Sequence, residues 1–166
     1  MNVRKTFLAL VAAVGFLCVA IATIHSPTLA QSAELETGLI QVNSEFTVEE
    51  TSERLTALLA ERRLNIFAQV DHAENAATVG KELRPTELFI FGNPAVGTPL
   101  MQCNQSVAID LPQKMLIWQA ADDQVWLAYN DPDYLMARHD LANCEPVIDR
   151  ISQVLEDISH RATQDG

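Results

Sequence analysis

RPTELFIFGNPAVGTPLM, Arg84–Met101, is the stretch whose reading sets the fold. Pro85 cannot continue a helix and biases Arg84 toward extended backbone. Leu88, Phe89, Ile90 and Phe91 follow without polar alternation, the pattern of a short strand buried on both faces. Gly92 and Asn93 tolerate positive φ and Pro94 lacks an N–H donor, so the strand is expected to end in a turn. Gly97 adds a second flexible point. Thr98 fits an N-cap with Pro99 at the first helical position. The segment predicts a buried strand, a glycine-bounded loop over Gly92–Thr98 and a short helix.

A loop that ends on a helix start turns backbone N–H groups outward, an arrangement suited to an anion. The Gly92-x-x-x-x-Gly97 spacing resembles a phosphate-binding loop, but that motif continues Gly-Lys-Ser/Thr. Here Thr98 and Pro99 follow with no lysine, so the nucleotide reading is rejected. Two readings stay open: a structural turn, or a pocket lined by backbone.

Several motifs carry a family resemblance. Arg84-Pro-Thr-Glu-Leu, Ile90-Phe-Gly-Asn-Pro, Gly97-Thr-Pro-Leu-Met and Asp110-Leu-Pro, with Asp71-His72 upstream, resemble domain-of-unknown-function family 302, DUF302, from about Leu39 to about Arg138. The resemblance implies an α+β domain, a curved antiparallel sheet with helices on one face, similar to the TATA-binding-protein-like class. It implies no established reaction and no cofactor. The chain departs from the family at Ala95, where many relatives have lysine, and at Cys103 and Asn104, where relatives are often small or apolar.

Outward from this core, residues 1–30 read as a targeting segment. Arg4 and Lys5 open it, Phe7–Ile24 carries no charge, and Thr28-Leu29-Ala30 offers a small-residue cleavage site after Pro27. The same apolar run, residues 7–24, is long enough to anchor in an inner membrane if uncleaved. Cys18 follows Gly15-Phe16-Leu17, a poor match to a lipid-attachment box. The expected location is periplasmic or extracellular. Residues 31–37 form a polar linker, and 38–166 form one domain. The whole chain has net charge −11, and losing Arg4 and Lys5 makes it two units more negative. Such a surface repels nucleic acid and anionic lipid, so neither is an expected partner. Cations, basic proteins or a metal ion remain compatible with it.

Leu39–Asn43 alternates as a half-buried strand. Thr47-Val-Glu-Glu50 is a capping box that opens a helix with Val48, Thr51, Leu55, Leu58, Leu59 and Arg62 on one stripe. Leu64, Ile66, Ala68 and Val70 predict a second strand, so the start reads as a βαβ unit or a split version of it. His72 is expected to cap or begin a short helix ending before Gly80. Pro112–Trp118 and Val125–Tyr129 predict a hairpin that is apolar on both faces over part of its length. One of those faces must be covered by helices or by a second copy, which keeps a homodimer open. Tyr134–Asp140 reads as a short helix. Asn143 is placed as the cap of a last helix, with Pro146 in its first turn and a stripe from Val147 to Ala162.

Outside residues 1–30 two cysteines remain, Cys103 and Cys144, which read as a disulfide in an oxidising compartment or as one reactive thiol at a helix start. His72, Met101, Cys103, His139 and Cys144 are soft-metal ligand types, but their spacing matches no compact site and no metal is assigned. Gly-x-Ser-x-Gly and His-Glu-x-x-His are absent. Asn104-Gln-Ser106 fits a glycosylation acceptor. The leading expectation is a small exported binding domain holding a small ligand or ion with Gly92, Asn93, Pro94, Gly97, Thr98, His72 and Asp110, joined by Tyr129 or Arg138. The rivals are a redox or enzymatic protein using Cys103 or Cys144 with a histidine, and a structural homodimer. A catalytic residue and a cofactor stay unassigned.

Overall fold

The computed structural model describes residues 37–165, so the targeting segment or anchor and nearly all of the linker lie outside the described residues. The elements run β1 (Leu39–Ser44), α1 (Val48–Glu61), β2 (Asn65–Asp71), α2 (His72–Thr78), β3 (Thr86–Gly92), α3 (Pro94–Cys103), β4 (Gln113–Gln119), β5 (Val125–Asn130), α4 (Pro132–His139) and α5 (Glu145–Thr163). Short 3-10 turns at Gln105–Ile109 and Ala142–Cys144 complete the chain. The fold is α+β, as expected. The sheet is antiparallel throughout, in the order β1-β5-β4-β3-β2. β1 and β2 therefore lie on opposite edges with three strands between them, and the split alternative is the one observed.

α1 starts where the capping box puts it. The Thr47 hydroxyl accepts from the Glu50 N–H, and the Glu50 carboxylate accepts from the Thr47 N–H at 3.0 Å. These bonds, the backbone one foremost, hold the Glu50 carboxyl below its ordinary range. Val48, Leu55, Leu58 and Leu59 then fall on one side and are buried. α5 buries Ile148, Ile151, Leu155 and Ile158 at the same period. The two helices lie together against the sheet, where they meet Phe89, Phe91, Met115, Ile117, Val125 and Leu127 in a single core. Each such side chain contributes about 1.5–3 kcal/mol on burial. Arg161 on α5 makes a bidentate pair with Glu61 on α1, which lowers the Glu61 pKa and raises that of Arg161. Gly38, with φ +65, lies under the Tyr134 ring, and a Cβ there would sit 2.6 Å from a ring carbon.

Four expectations need correction. β3 is not buried on both faces: Phe89 and Phe91 are in the core, while Leu88 and Ile90 are half-buried on the side away from α1 and α5. β2 does not keep one apolar face. A bulge between Ile66 and Ala68 leaves Ile66 on the side of Phe91 but turns Ala68 and Val70 to the side of Ile90 and Leu88. Asn143 caps nothing; it sits inside the second 3-10 turn, and Cys144 precedes α5 without a side-chain capping bond.

The fourth correction matters most. No loop spans Gly92–Thr98, because α3 begins at Pro94. Asn93 is extended, its Oδ1 accepts the Ala95 N–H at 2.9 Å, and Pro94 takes the first helical position. Asn93-Pro94 is thus a start signal of the same kind as Thr98-Pro99, five residues earlier. Once the Gly97 N–H bonds the Asn93 carbonyl at 3.0 Å, the helix is under way. Thr98 and Pro99 are then carried inside it, with a donor missing at Pro99.

Candidate functional site

A cavity of about 660 Å³ opens on the helix side of the sheet, where β3 passes into α3. Phe91 and Gly92 come from the end of β3, and Pro94 through Thr98 and Met101 come from α3. Arg62, Leu64 and Phe67 come from the end of α1 and the start of β2. Leu111, Pro112 and Gln113 come from the entry to β4, and Arg150, Ile151, Val154 and Leu155 from α5. Phe91, Gln113, Ile151 and Leu155 are buried and form the floor. Arg62, Phe67, Pro94, Ala95, Thr98 and Arg150 are exposed and form the rim. Gly97 brings the backbone of α3 close to the Leu111 side chain without strain: a Cβ there would stand 3.7 Å from Leu111 Cδ1.

The walls are mainly apolar. Gln113, only 9% exposed, is the buried polar exception, and its Oε1 has no hydrogen-bond partner. Leaving such an acceptor unpaired costs about 1–3 kcal/mol. The charged residues of the lining are Arg62 and Arg150, and no acid is among them. Arg62 pairs with Asp157. The Arg150 guanidinium has no ion pair or hydrogen bond among the described residues.

Of the residues chosen from sequence, Gly92, Asn93, Pro94, Gly97 and Thr98 line this cavity and His72, Asp110, Tyr129 and Arg138 do not. Asn65 pairs with Gly92 but Asp71 pairs with Glu87, which puts His72 some five residues of strand away, roughly 17 Å. There it begins α2, which Asp71 caps. Tyr129 is 4% exposed in the core, between Ile40 and Met115 in the sheet. Arg62, Phe67, Gln113 and Arg150 were missed. They come from four separate segments, and no local pattern marks them.

Asp110 and Arg138 belong to a second cluster. His139, 6% exposed, donates from Nε2 to Asp110 Oδ2 at 2.6 Å, and its Nδ1 lies 2.8 Å from Ser106 Oγ. Arg138 reaches the other Asp110 oxygen at 3.3 Å, and Asn104 Nδ2 donates to the His139 carbonyl at 2.7 Å. Serine, histidine and carboxylate in this order are the parts of an activated nucleophile. Yet none of the three lines the main cavity or the groove between α3 and the 3-10 turn. Every bond in the cluster ties that turn to the end of α4, which is the work of a brace.

Cys103 and Cys144 are joined in a disulfide with Cα atoms 6.5 Å apart, linking the end of α3 to the start of α5. The bond occupies both thiols that the redox reading needed. Among the described residues no group of three or more His, Cys, Asp or Glu side chains could hold a metal ion. Met101 lines the cavity, His72 is at the far end of the sheet and His139 is in the brace.

A family model described as "Domain of unknown function DUF302" matches residues 40–158. The crystal structure of an uncharacterized conserved DUF302 protein from Bacillus stearothermophilus superposes with a TM-score of 0.68 at 19% identity, covering 75% of this chain and 98% of that one. Two proteins named fluoride-specific ion channel FluC 1, from Brucella suis and Brucella abortus, are each 44% identical over 107 residues. That is 64% of this chain and 42% or 40% of theirs, so the chain spans about two fifths of these relatives.

Proposed function

This chain belongs to the DUF302 family, and on that premise we propose that it is an exported binding domain for a small, largely apolar molecule. One observation carries the reading: the cavity beside α3. Its volume, about 660 Å³, falls within the range of small-molecule sites, and its walls combine many apolar groups with few polar ones. The position agrees with the sequence expectation for Gly92, Asn93, Pro94, Gly97 and Thr98. The ligand contacts assigned there to His72, Asp110, Tyr129 and Arg138 drop out. Export rests on the basic start, apolar run and small-residue site of residues 1–30.

The test is binding of a neutral environment-sensitive dye, N-phenyl-1-naphthylamine, to the full chain and to Gly97→Leu. The variant places a side chain in the cavity, so saturable fluorescence is expected in the parent and a large loss in the variant. The apolar run of residues 7–24 is common to both proteins and cancels. Equal binding by the two would remove the cavity as the site. N-terminal sequencing of protein recovered from outside the cytoplasm tests export, and an intact Met1 on soluble protein would defeat cleavage.

A second reading rests on the 44% identity with the two proteins named as fluoride channels. In it the domain is a water-exposed accessory to an ion channel, and Arg150 offers the anion contact. Fluoride titration followed by thermal shift separates this from the first reading, since the accessory role needs fluoride to raise the midpoint in the absence of any apolar compound.

A further inference from the structure

Three observations within the cavity point to one kind of occupant. The floor carries an acceptor, Gln113 Oε1, that is buried and unpartnered and belongs to a side chain nine-tenths buried. A ligand O–H or N–H reaching it would meet a group already stripped of water, so the bond adds affinity without a further desolvation cost on the protein side. The rim carries two guanidinium groups and no carboxylate, on a chain whose net charge is −11. Such an excess of acid elsewhere makes a local excess of cations specific to the place where it occurs. Arg150 is free to pair, because no acid of the described residues engages it. Between floor and rim the walls are apolar: Phe91, Met101, Ile151 and Leu155 among them.

We infer that the cavity takes an amphipathic anion: an apolar body with a hydrogen-bond donor at its buried end and a carboxylate at its exposed end. The donor meets Gln113, the body fills the space between α3 and α5, and the carboxylate meets Arg150 with Arg62 beside it. An apolar hydroxy acid is the simplest compound of this class. The inference rests on the binding function proposed above and narrows it.

The experiment uses four probes that carry the donor and the anion in every combination: 6-hydroxy-2-naphthoate, 2-naphthoate, 2-naphthol and naphthalene. Each displaces N-phenyl-1-naphthylamine from the full chain, from Gln113→Leu and from Arg150→Gln. In the parent, the hydroxy acid is expected to bind about fivefold better than 2-naphthoate and about fivefold better than 2-naphthol. The hydroxyl advantage should vanish in Gln113→Leu alone, and the carboxylate advantage should shrink in Arg150→Gln alone and with added salt. Four probes that displace the dye equally from the parent would overturn the ligand class and leave the cavity as a binding site. No dye binding to the parent would overturn the binding function itself. The parent's ranking stands whether or not Gln113→Leu folds, and Arg150 is exposed, so its variant keeps the core intact.

Discussion

Gly97 separates a hinge from a helix, and Gly97→Ala decides between them. A glycine in a glycine-bounded loop resists substitution; a glycine carried inside a helix is a weak point. The structure puts Gly97 in α3, outside the positive-φ region, with a prospective Cβ at ordinary contact distance, 3.7 Å, from Leu111 Cδ1. Alanine there removes the backbone entropy that glycine loses on folding, a gain of about 0.5–1 kcal/mol. For a domain of this size the midpoint should rise by roughly 2–4 °C. Pro99 in the next turn already limits the freedom of the unfolded chain, which places the gain toward the lower end. The assay is urea denaturation of parent and variant, with an unchanged slope required before the midpoints are compared. The single methyl occupies little of the 660 Å³, so dye binding should persist in Gly97→Ala and fall in Gly97→Leu. A loss of 1 kcal/mol or more in Gly97→Ala would refute the reasoning. It would mean that the segment needs a conformation only glycine adopts, as the loop reading held.

The Cys103–Cys144 bond spans a sequence separation of 41, and in the chain-entropy model opening it costs about 4 kcal/mol. The Cys103→Ser/Cys144→Ser protein should therefore unfold at clearly lower urea, and a midpoint equal to the parent's would show that the bond is absent in solution. Glu50 has its folded pKa depressed by its bond to the Thr47 N–H, so its contribution is full above the ordinary carboxylate range and is lost as pH falls through the lowered folded value. Glu50→Gln should be less stable than the parent near neutrality, and the gap should close in acid; a gap constant with pH would contradict the capping box. His139→Ala leaves the Asp110 carboxylate, 13% exposed, with one partner fewer and should cost roughly 2–4 kcal/mol in urea denaturation while dye affinity stays unchanged. A lower affinity at unchanged stability would make the brace part of the site.

What could be read from the chain was what neighbouring residues decide among themselves. The Thr47–Glu50 box, the Leu88–Phe91 strand, the β4–β5 hairpin and the stripe of α5 each depend on a spacing of a few residues, and each stands where the spacing put it. The start of α3 was also local, but two equivalent signals competed, and the sequence does not rank Asn93-Pro94 above Thr98-Pro99. The bulge in β2 is set by its pairing with β3, so the apolar alternation of Leu64 to Val70 could not disclose it. The site was less legible than the fold. His72 looked adjacent to Gly92 because both flank strands, yet only the β2–β3 register shows that they occupy opposite ends. Gln113 and Arg150 are ordinary residues in sequence. Their meaning comes from the burial of one, the freedom of the other and the cavity they share.

The central claim, that a ligand enters between α3 and α5, is tested most directly by mapping amide chemical-shift changes on adding N-phenyl-1-naphthylamine to isotope-labelled protein. The account predicts changes concentrated at Phe91, Pro94–Cys103, Gln113 and the Arg150–Leu155 turn of α5, with His72 and the Trp118 and Trp126 face of the sheet unaffected. Changes gathered on that tryptophan face, or none anywhere at saturating dye, would contradict it.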